Sequence, residues 1–355
     1  MIRVLELFAG IGACSKALER LNIEHEIVDA VEIDKYAIKS FNAIHGTNFE
    51  PQDITKWNKD IKVDLIMHGS PCQDFSLAGL GKGGDKGSGT RSSLMYETLR
   101  IVDKLEPEVV IWENVKNILS KKHIHNFNAY LKHMEDMGYY NSYKVLNAKK
   151  YGIPQNRERV FVVSISHGVF EFPKEQELKL KLKDLLEKDV EPKYYLTNKQ
   201  INSFIASSNK QQAKGNYFKF EPLKGNVAHT ISTRSGQRQT DNFIKVVTAN
   251  KQGYDNARNG DCVDLAYPNS TTRRGRVGHS VSKTIATGET MGVVTKDLKI
   301  RKLTPKECWR LMGFDDEDYE KASKVCSNTQ LYKQAGNSIV VNVLEAILSN
   351  LFKIY

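Results

Sequence analysis

The chain has 355 residues, of which 40% are hydrophobic and 26% are charged, and its formal net charge is +10. This composition excludes general disorder and is typical of a globular protein large enough for two domains. The five cysteines form no Cys-x-x-Cys pair, which argues against a disulfide framework or a cysteine zinc site and favours a reducing compartment. No apolar stretch approaches membrane-spanning length, and the early acid Glu6 argues against a signal peptide. The basic excess fits a polyanionic partner such as nucleic acid, and equally a basic protein from a lysine-rich proteome.

Residues 1–172 alternate short apolar runs with amphipathic segments, which predicts an α/β fold with a doubly wound, mostly parallel sheet. The predicted strands begin at Val4, Ile27, Val63, Val109, Tyr143 and Val160. From about residue 172 the chain becomes polar, which indicates a smaller and irregular second domain. Thr304 and Pro305 predict the start of a later helix. We therefore expect one domain from 1–172 plus 325–355, and a second from 173–324.

The first strand runs into Gly10 and Gly12, which permit a tight turn and the close approach of a ligand. Glu32 follows 20 residues after Gly12, where an acid binds the ribose hydroxyls of a nucleotide-like cofactor. Ser15 stands where a dinucleotide fingerprint has its third glycine, so no pyrophosphate need be bound. Asp53 fits two roles equally, a contact to an adenine amino group or a cap for the turn after it.

Cys72 lies in the segment 69–73, just after an apolar run that reads as a buried parallel strand. Open α/β sheets bind their ligands at the carboxyl ends of such strands, which makes Cys72 a candidate nucleophile. A lone cysteine is more often a small core residue. The glycine-rich stretch 79–89 that follows is either a linker or a lid over the substrate, with Lys82 and Arg91 placed for phosphates.

Glu113 ends the next strand, where its carboxyl group is able to protonate or hydrogen-bond a base nitrogen. Arg157 and Arg159 alternate along an extended segment, so both side chains point to one side. A surface ion-pair cluster is the alternative for this pair. A further basic group lies beside glycines and threonines, as phosphate contacts often do: Arg273, Arg274 and Arg276.

Taken in order, these motifs resemble those of the DNA cytosine-5 methyltransferase family of bacterial or phage type. The matching segments are 8–12, 71–73, 113–115, 155–159, 301–308, 311–314 and 332–338, together with Glu32. The resemblance implies a methyltransferase fold of the Rossmann-like kind. Residues 173–298 match no motif, as the family's target-recognition region would.

The resemblance implies methyl transfer from S-adenosylmethionine to C5 of a cytosine in double-stranded DNA, which leaves S-adenosylhomocysteine. Cytosine C5 is a poor nucleophile until a thiolate adds at C6, so Cys72 would make that addition. A free thiol has a pKa of about 8.5, so the site must help to ionise it. Glu113 would interact with N3 of the base, and Arg157 and Arg159 would hold the base and its intermediate. The cytosine must be flipped out of the duplex for this chemistry.

By the same resemblance the cofactor site would be lined by Phe8, Gly10, Gly12, Glu32, Ile33, Asp53, Ile54, Pro71, Asn337 and Ser338. DNA contacts would come from Gln73, Ser76, Lys82, Arg91, Arg234, Arg273, Arg274, Arg276 and Thr284. Thr284-Ile285 resembles the pair that ends the family's recognition region. Thr230-Ile231 competes for that role, and Thr284 is preferred because it lies closer before Arg301. No metal site is expected, because the histidines show no ligand spacing.

Three alternatives remain beside this interpretation. A tRNA methyltransferase of the same family often carries a Cys-Phe-Thr tripeptide, which this chain lacks. A catalytically silent homologue is at odds with the joint presence of Cys72, Glu113, Arg157 and Arg159. A cysteine hydrolase would need a base such as His68, and nothing else supports a triad.

The expected setting is the bacterial cytoplasm, either in restriction–modification or in phage self-protection. The protein is expected to act as a monomer, because the target base is processed on one strand at a time. A partner endonuclease fits the restriction–modification setting. The recognised DNA sequence depends on the geometry of a few side chains and does not follow from the sequence.

Overall fold

The computed structural model describes residues 1–71, 91–195, 244–248, 250, 254–266, 273–288, 290–295 and 300–353. Within these ranges no helix combines the length and apolar character needed to cross a bilayer. Over the same ranges, no group of three His, Cys, Asp or Glu side chains converges as metal ligands would.

The main unit is a six-stranded sheet flanked by helices. Its strands are β1 (Ile2–Leu7), β2 (His25–Val31), β3 (Leu65–His68), β4 (Val109–Val115), β5 (Tyr140–Asn147) and β7 (Glu158–Ile165), while β6 (Gln155–Asn156) pairs elsewhere. The helices between them are α1 (Ala13–Arg20), α2 (Lys35–His45), α3 (Met95–Leu105) and α4 (Ile124–Asp136). The strand order is β2-β1-β3-β4-β7-β5. The first four strands are parallel, and β7 is antiparallel to both of its neighbours, which confirms the predicted mostly parallel sheet.

The inner strands are continuous apolar runs because both faces of the sheet are covered. Val4 and Leu65 belong to a hydrophobic cluster on one face, and Leu5 and Ile66 belong to a second cluster on the other. Successive residues of a strand point to opposite faces, so each strand contributes to both clusters. This two-sided burial is the doubly wound arrangement that the sequence predicts.

Four C-terminal helices pack against the first of these clusters. They are α5 (Pro305–Arg310), α6 (Asp316–Ser323), α7 (Asn328–Asn337) and α8 (Val341–Leu351). As predicted, Thr304 caps α5: its side chain accepts from the Glu307 amide, and the Glu307 carboxylate accepts from the Thr304 amide. Trp309 of α5 and Leu344 of α8 are fully buried in the same cluster as Val4.

The polar middle of the chain is more regular, where the structure describes it, than its composition predicts. An antiparallel sheet has the order β11-β10-β13-β14, with β10 (Cys262–Asp264), β11 (Val277–Gly278), β13 (Met291–Val294) and β14 (Ile300–Lys302). β8 (Ile244–Val247) pairs antiparallel with β9 (Tyr254–Ala257), and β12 (Ser282–Lys283) pairs with β6. Strands of two to four residues are too short to show a period in the sequence.

Candidate functional site

The turn after β1 and the end of β2 meet through a carboxylate. Phe8, Gly10 and Gly12 have φ values of +53°, +58° and +80°. Glycine adopts these angles freely, whereas a phenylalanine does so rarely. The Gly10 amide donates to Glu32 Oε2 at 3.1 Å, and the Asp34 amide donates to Oε1 at 2.8 Å. Burial raises the pKa of Glu32, and the structure places this acid beside the glycine turn, where the sequence predicts it.

The two glycines of this turn have different surroundings. A Cβ on Gly12 would lie 2.1 Å from His45 Nε2 and 2.9 Å from the Phe41 ring, whereas a Cβ on Gly10 would meet nothing within 4 Å. Gly12 is therefore required by the fold, and Gly10 leaves open space above the turn. Next to Glu32, the Ile33 side chain is 70% exposed and available to a ligand.

Asp53 lies beside Glu32, because the Gln52 amide donates to the Glu32 carbonyl at 2.8 Å. Asp53 Oδ1 accepts from the amide and the hydroxyl of Thr55 at 3.0 and 2.8 Å, so Asp53 caps the turn that includes Ile54. These bonds lower the pKa of Asp53. The capping role does not use Oδ2.

Asp29 anchors the turn that includes Asp53, and the sequence motifs did not identify it as a functional residue. It is fully buried on β2, where it accepts from Gln52 Nε2 at 2.8 Å and from Trp57 Nε1 at 2.7 Å. A buried carboxylate with several donors fixes the segment that carries Asp53 against the sheet. An acid inside an apolar strand was the one signal that pointed to it.

Buried side chains form hydrogen bonds with Ser70, two residues before Cys72. The Trp112 indole donates to Ser70 Oγ at 3.0 Å, and Asn114 Nδ2 lies 3.3 Å from the same atom. His68 is fully buried, with its ring stacked on Trp112 and its Nε2 3.1 Å from the Tyr130 hydroxyl. Burial lowers the pKa of His68 to about 3. A histidine fixed inside this stack is unsuited to act as the base of a cysteine hydrolase.

Glu113 and Arg159 form an ion pair in a cavity at the carboxyl end of β4. Arg159 Nε lies 3.0 Å from Glu113 Oε1. Arg157 and Ile339 line the same cavity. A Cβ on Gly69 would lie 3.7 Å from Glu113 Oε2, so the chain that leads to Cys72 passes the same carboxylate. The structure therefore brings together three of the four predicted catalytic side chains.

Arg157 is buried, and its hydrogen bonds reach two distant segments. Nη1 donates to the Ile285 carbonyl at 3.2 Å, and Nη2 donates to the Gly336 and Ser338 carbonyls at 3.2 and 2.8 Å. Asn337, between these two acceptors, is exposed. Ser338 is buried and its hydroxyl donates to the Ile339 carbonyl.

Thr284 and Ile285 lie against the segment that carries Arg157. Thr284 Oγ1 donates to the Asn156 carbonyl at 3.0 Å, and the Ile285 amide donates to Gln155 Oε1 at 3.0 Å. The competing Thr230-Ile231 lies outside the described residues. The Thr284 pair therefore contacts the two residues that precede Arg157, and its role at the end of the recognition region stays a prediction.

The three clustered arginines differ in exposure. Arg274 is exposed, and Arg273 Nη2 lies 3.1 Å from Asp264 Oδ2. Arg276 is buried, and its Nε and Nη2 donate to the Asp264 carbonyl at 3.2 and 2.7 Å. Its guanidinium thus connects β10 to the start of β11 in the interior, an arrangement that does not favour the predicted contact of Arg276 with DNA phosphates, which stays a prediction. Burial also lowers the pKa of Arg276.

The remaining predicted residues lie at the edge of the described ranges or outside them. Pro71 is the last described residue before Cys72. For Arg91 the structure describes the backbone, at the start of the 3-10 turn Arg91–Leu94. The predicted sites and segments outside the described residues are Cys72, Gln73, Ser76, Lys82, the stretch 79–89 and Arg234.

Known proteins are similar to this one over nearly the whole chain. A family model described as C-5 cytosine-specific DNA methylase matches residues 2–353. The chain is 33% identical to the type II methyltransferase M2.ScrFI of Lactococcus lactis subsp. cremoris, covering 99% of each chain. It is 30% identical to the orphan methyltransferase M.SPRI of Bacillus phage SPR, covering 100% of this chain and 98% of that protein.

Solved structures support the fold. The S. pombe Dnmt2 methyltransferase superposes with a TM-score of 0.63 at 22% identity, covering 100% of this chain and 99% of that one. A putative DNA modification methyltransferase from an E. coli prophage superposes with a TM-score of 0.61 at 19% identity, covering 99% of each chain. With the family model matched from the first strand to the last helix, the chain belongs to the C-5 cytosine-specific DNA methylase family.

Proposed function

We propose that this protein is a sequence-specific DNA (cytosine-5) methyltransferase that uses S-adenosylmethionine, with Cys72 as its nucleophile. The observation that carries the proposal is the Glu113–Arg159 ion pair, at 3.0 Å, in a cavity beside the chain that leads to Cys72. A carboxyl group and a guanidinium in one cavity are able to bind the polar edge of a cytosine. The relatives named as methyltransferases support the same reaction.

The residues around the β1 turn fit S-adenosylmethionine. Gly10 leaves space above the turn, Ile33 presents an exposed apolar surface, and Glu32 presents a carboxylate for ribose hydroxyls. Phe8, Gly12, Asp53, Ile54, Pro71, Asn337 and Ser338 would complete the site by resemblance. When bound, the cofactor supplies an electrophilic methyl group, which is transferred to C5 of the base.

The side chains of this protein prepare the base for that transfer. The Cys72 thiolate forms a bond to C6 of the flipped cytosine, and the electron pair of the C5–C6 bond makes C5 nucleophilic. Glu113 holds a proton at N3, which offsets the negative charge that the addition creates. Arg159 orients Glu113 and contacts the base. Water then takes up the C5 proton, whose bonding electrons re-form the C5–C6 double bond as the Cys72 sulfur leaves as a thiolate, and the N3 proton returns to Glu113.

The division between catalytic and recognition domains is also a proposal. The expected boundary lies at 324/325, but α1 is bonded to the segment before it: Arg20 Nη1 donates to the Gly313 carbonyl at 2.7 Å, and Lys16 Nζ lies 3.1 Å from Asp318 Oδ1 of α6. We therefore propose that the recognition domain ends nearer residue 300 and that α5 and α6 belong to the catalytic domain.

We test the proposed function in a bacterial host that lacks DNA methylation. The chain and its Cys72→Ala variant are expressed, and the host DNA is analysed by bisulfite sequencing. Protected cytosines in one short recurring context, absent with the variant, are the expected result and define the target. Full conversion with soluble protein present would contradict the proposal. Bisulfite sequencing of host tRNA from the same cells then separates the tRNA methyltransferase from the silent homologue.

A second experiment examines the covalent step. A duplex with 5-fluorocytosine at the target position should trap a covalent complex with the wild-type protein, because the fluorine blocks elimination at C5. The Cys72→Ala variant should form no complex. An active enzyme that fails to form the complex would contradict the addition at C6.

A further inference from the structure

The end of the recognition region and the C-terminal segment 336–340 meet at the buried guanidinium of Arg157. One arm, Nη1, donates to the Ile285 carbonyl at 3.2 Å. The other arm, Nη2, donates to Gly336 at 3.2 Å and Ser338 at 2.8 Å. A guanidinium presents its donors in a rigid planar fork, so it fixes the distance between the segments that it joins.

The same two segments are also in direct backbone contact. A Cβ on Gly336 would lie 2.5 Å from the Ala286 carbonyl carbon and 2.5 Å from the Thr287 nitrogen. A separation this short leaves no room for any side chain at position 336. Gly336 therefore permits the close approach of the two segments, and the Arg157 guanidinium hydrogen-bonds both of them.

On the recognition side, the segment is attached to the site by four further contacts. Ser282 and Lys283 pair with Gln155 and Asn156 in a two-stranded sheet. The Gln155 and Asn156 oxygens also accept from Ile285 and Thr284. The exposed Arg274 precedes Thr284 by ten residues. A displacement of this region is therefore passed to Gln155 and Asn156, which directly precede Arg157.

On the catalytic side, the segment 336–340 reaches both predicted ligand sites. Ile339 and Val340 line the cavity with Glu113 and Arg159. A Cβ on Gly69 would lie 3.5 Å from Ile339 Cδ1, so the segment contacts the chain that leads to Cys72. Asn337 and Ser338, in the same segment, are among the proposed cofactor contacts.

We infer that Arg157 is a positioning residue that couples DNA binding at the recognition region to the affinity of the cofactor site. This inference rests on the proposed function. Docked DNA restricts the motion of the Thr284-Ile285 segment. Because Arg157 bonds both Ile285 and Ser338, the position of Ser338 is then restricted as well. Coupling free energies are reciprocal, so bound cofactor strengthens DNA binding by the same factor.

Two variants loosen this connection in different ways. Arg157→Lys keeps the positive charge, but a single ammonium group lacks the fork that spans both segments. Gly336→Ala keeps Arg157 and forces the two backbones apart. Gly288→Ala is the matched control, because its Cβ would meet only Thr290 Cγ2, at 3.9 Å.

The first measurement is the dissociation constant of S-adenosylhomocysteine by calorimetry, with and without an unmethylated duplex that carries the target sequence. We expect DNA to tighten binding by roughly fivefold or more in the wild type and in Gly288→Ala. In Arg157→Lys and Gly336→Ala the ratio should fall to about one. A loss of stability alone would not change this ratio. A wild-type ratio near one, or variants that keep the wild-type ratio, would overturn the inference.

The second measurement does not require DNA or cofactor binding. In Arg157→Lys, the rate of hydrogen–deuterium exchange should rise at both residues 284–288 and residues 336–340. It should stay at the wild-type level in the six-stranded sheet. An increase at one segment alone would overturn the role of Arg157 as the connection. If the wild type binds no S-adenosylhomocysteine, the proposed function fails, and the exchange data still decide whether Arg157 joins the two segments.

Discussion

Arg159 Nε lies 3.0 Å from Glu113 Oε1, across two neighbouring antiparallel strands. Glu113 pairs in register with Phe161, and Arg159 pairs with Val115, so the two charged residues are diagonal neighbours. Such neighbours reach one another with long side chains. Glu113 is only 8% exposed, which makes an unpaired charge at this position costly. The ion pair therefore orients a carboxylate that would otherwise be poorly solvated.

Glu113→Gln should lower kcat by about 10²- to 10⁴-fold, because it removes the group that we propose to hold a proton at N3 and keeps the side chain's shape. Single-turnover transfer of a labelled methyl group gives the rate, and calorimetry should show unchanged S-adenosylhomocysteine binding. Glu158→Gln is the matched control, because Glu158 forms an exposed ion pair with Lys116 next to Arg159. Equal rates for Glu113→Gln and this control would exclude a catalytic role for Glu113.

Trp112→Phe should reduce the rate of covalent complex formation with 5-fluorocytosine several-fold. The phenyl ring still fills the stack on His68, but the N–H donor to Ser70, two residues before Cys72, is lost. The lost hydrogen bond should also lower the free energy of unfolding by about 1 kcal/mol.

Ser70→Ala removes the same bond from the other side. The double variant should therefore form the complex no more slowly than the slower single variant. Fully additive effects in this cycle would show that the Trp112–Ser70 contact does not position the Cys72 segment.

Gly12→Ala should destabilise the protein much more than Gly10→Ala. Both positions have positive φ, which costs alanine about 1–2 kcal/mol. Only the Gly12 Cβ also collides with His45 and Phe41, and this overpacking adds about 1–3 kcal/mol. Urea denaturation measures both variants. Adding His45→Ala to Gly12→Ala should restore part of the loss, and no recovery would place the cost elsewhere.

The main sheet could be predicted from the sequence because its inner strands are continuous apolar runs. β3, β4 and β7 lie where these runs predict them. Helices α6 and α7 were missed because each buries only two to four residues and the rest are polar. A capping box at Asp315 and Asp318 was the available signal for α6.

The predicted site depends on contacts of two kinds. Glu113 and Arg159 belong to motifs whose order in the chain indicates the site. The partners of Arg157 lie 128 to 181 residues further along the chain and are main-chain carbonyls, which no side-chain pattern encodes. The burial of Arg276 was unpredictable for the same reason, since its acceptor is the carbonyl of Asp264.

Glu6 makes the stability of the protein depend on pH. It is buried on β1, where it accepts from the amide and the hydroxyl of Ser15 at the start of α1. Burial raises the pKa of Glu6 from 4.5 to about 7. The folded state therefore holds a proton that the unfolded chain releases between these two values. This contribution to stability is complete below pH 4.5, is lost as the pH rises through 7, and amounts to about 3 kcal/mol.

Glu6→Gln is neutral at every pH, so it should remove this dependence. We expect the free energy of unfolding of the variant, relative to the wild type, to rise by about 2–3 kcal/mol between pH 5 and pH 8. His45 and His68, whose pKa values burial lowers to about 4 and about 3, act in the opposite direction. They are present in both proteins and cancel in the difference. Urea denaturation across this range gives the values, with Glu50→Gln at an exposed position as the control. A difference between Glu6→Gln and wild type that stays constant with pH would show that Glu6 ionises normally in the folded protein.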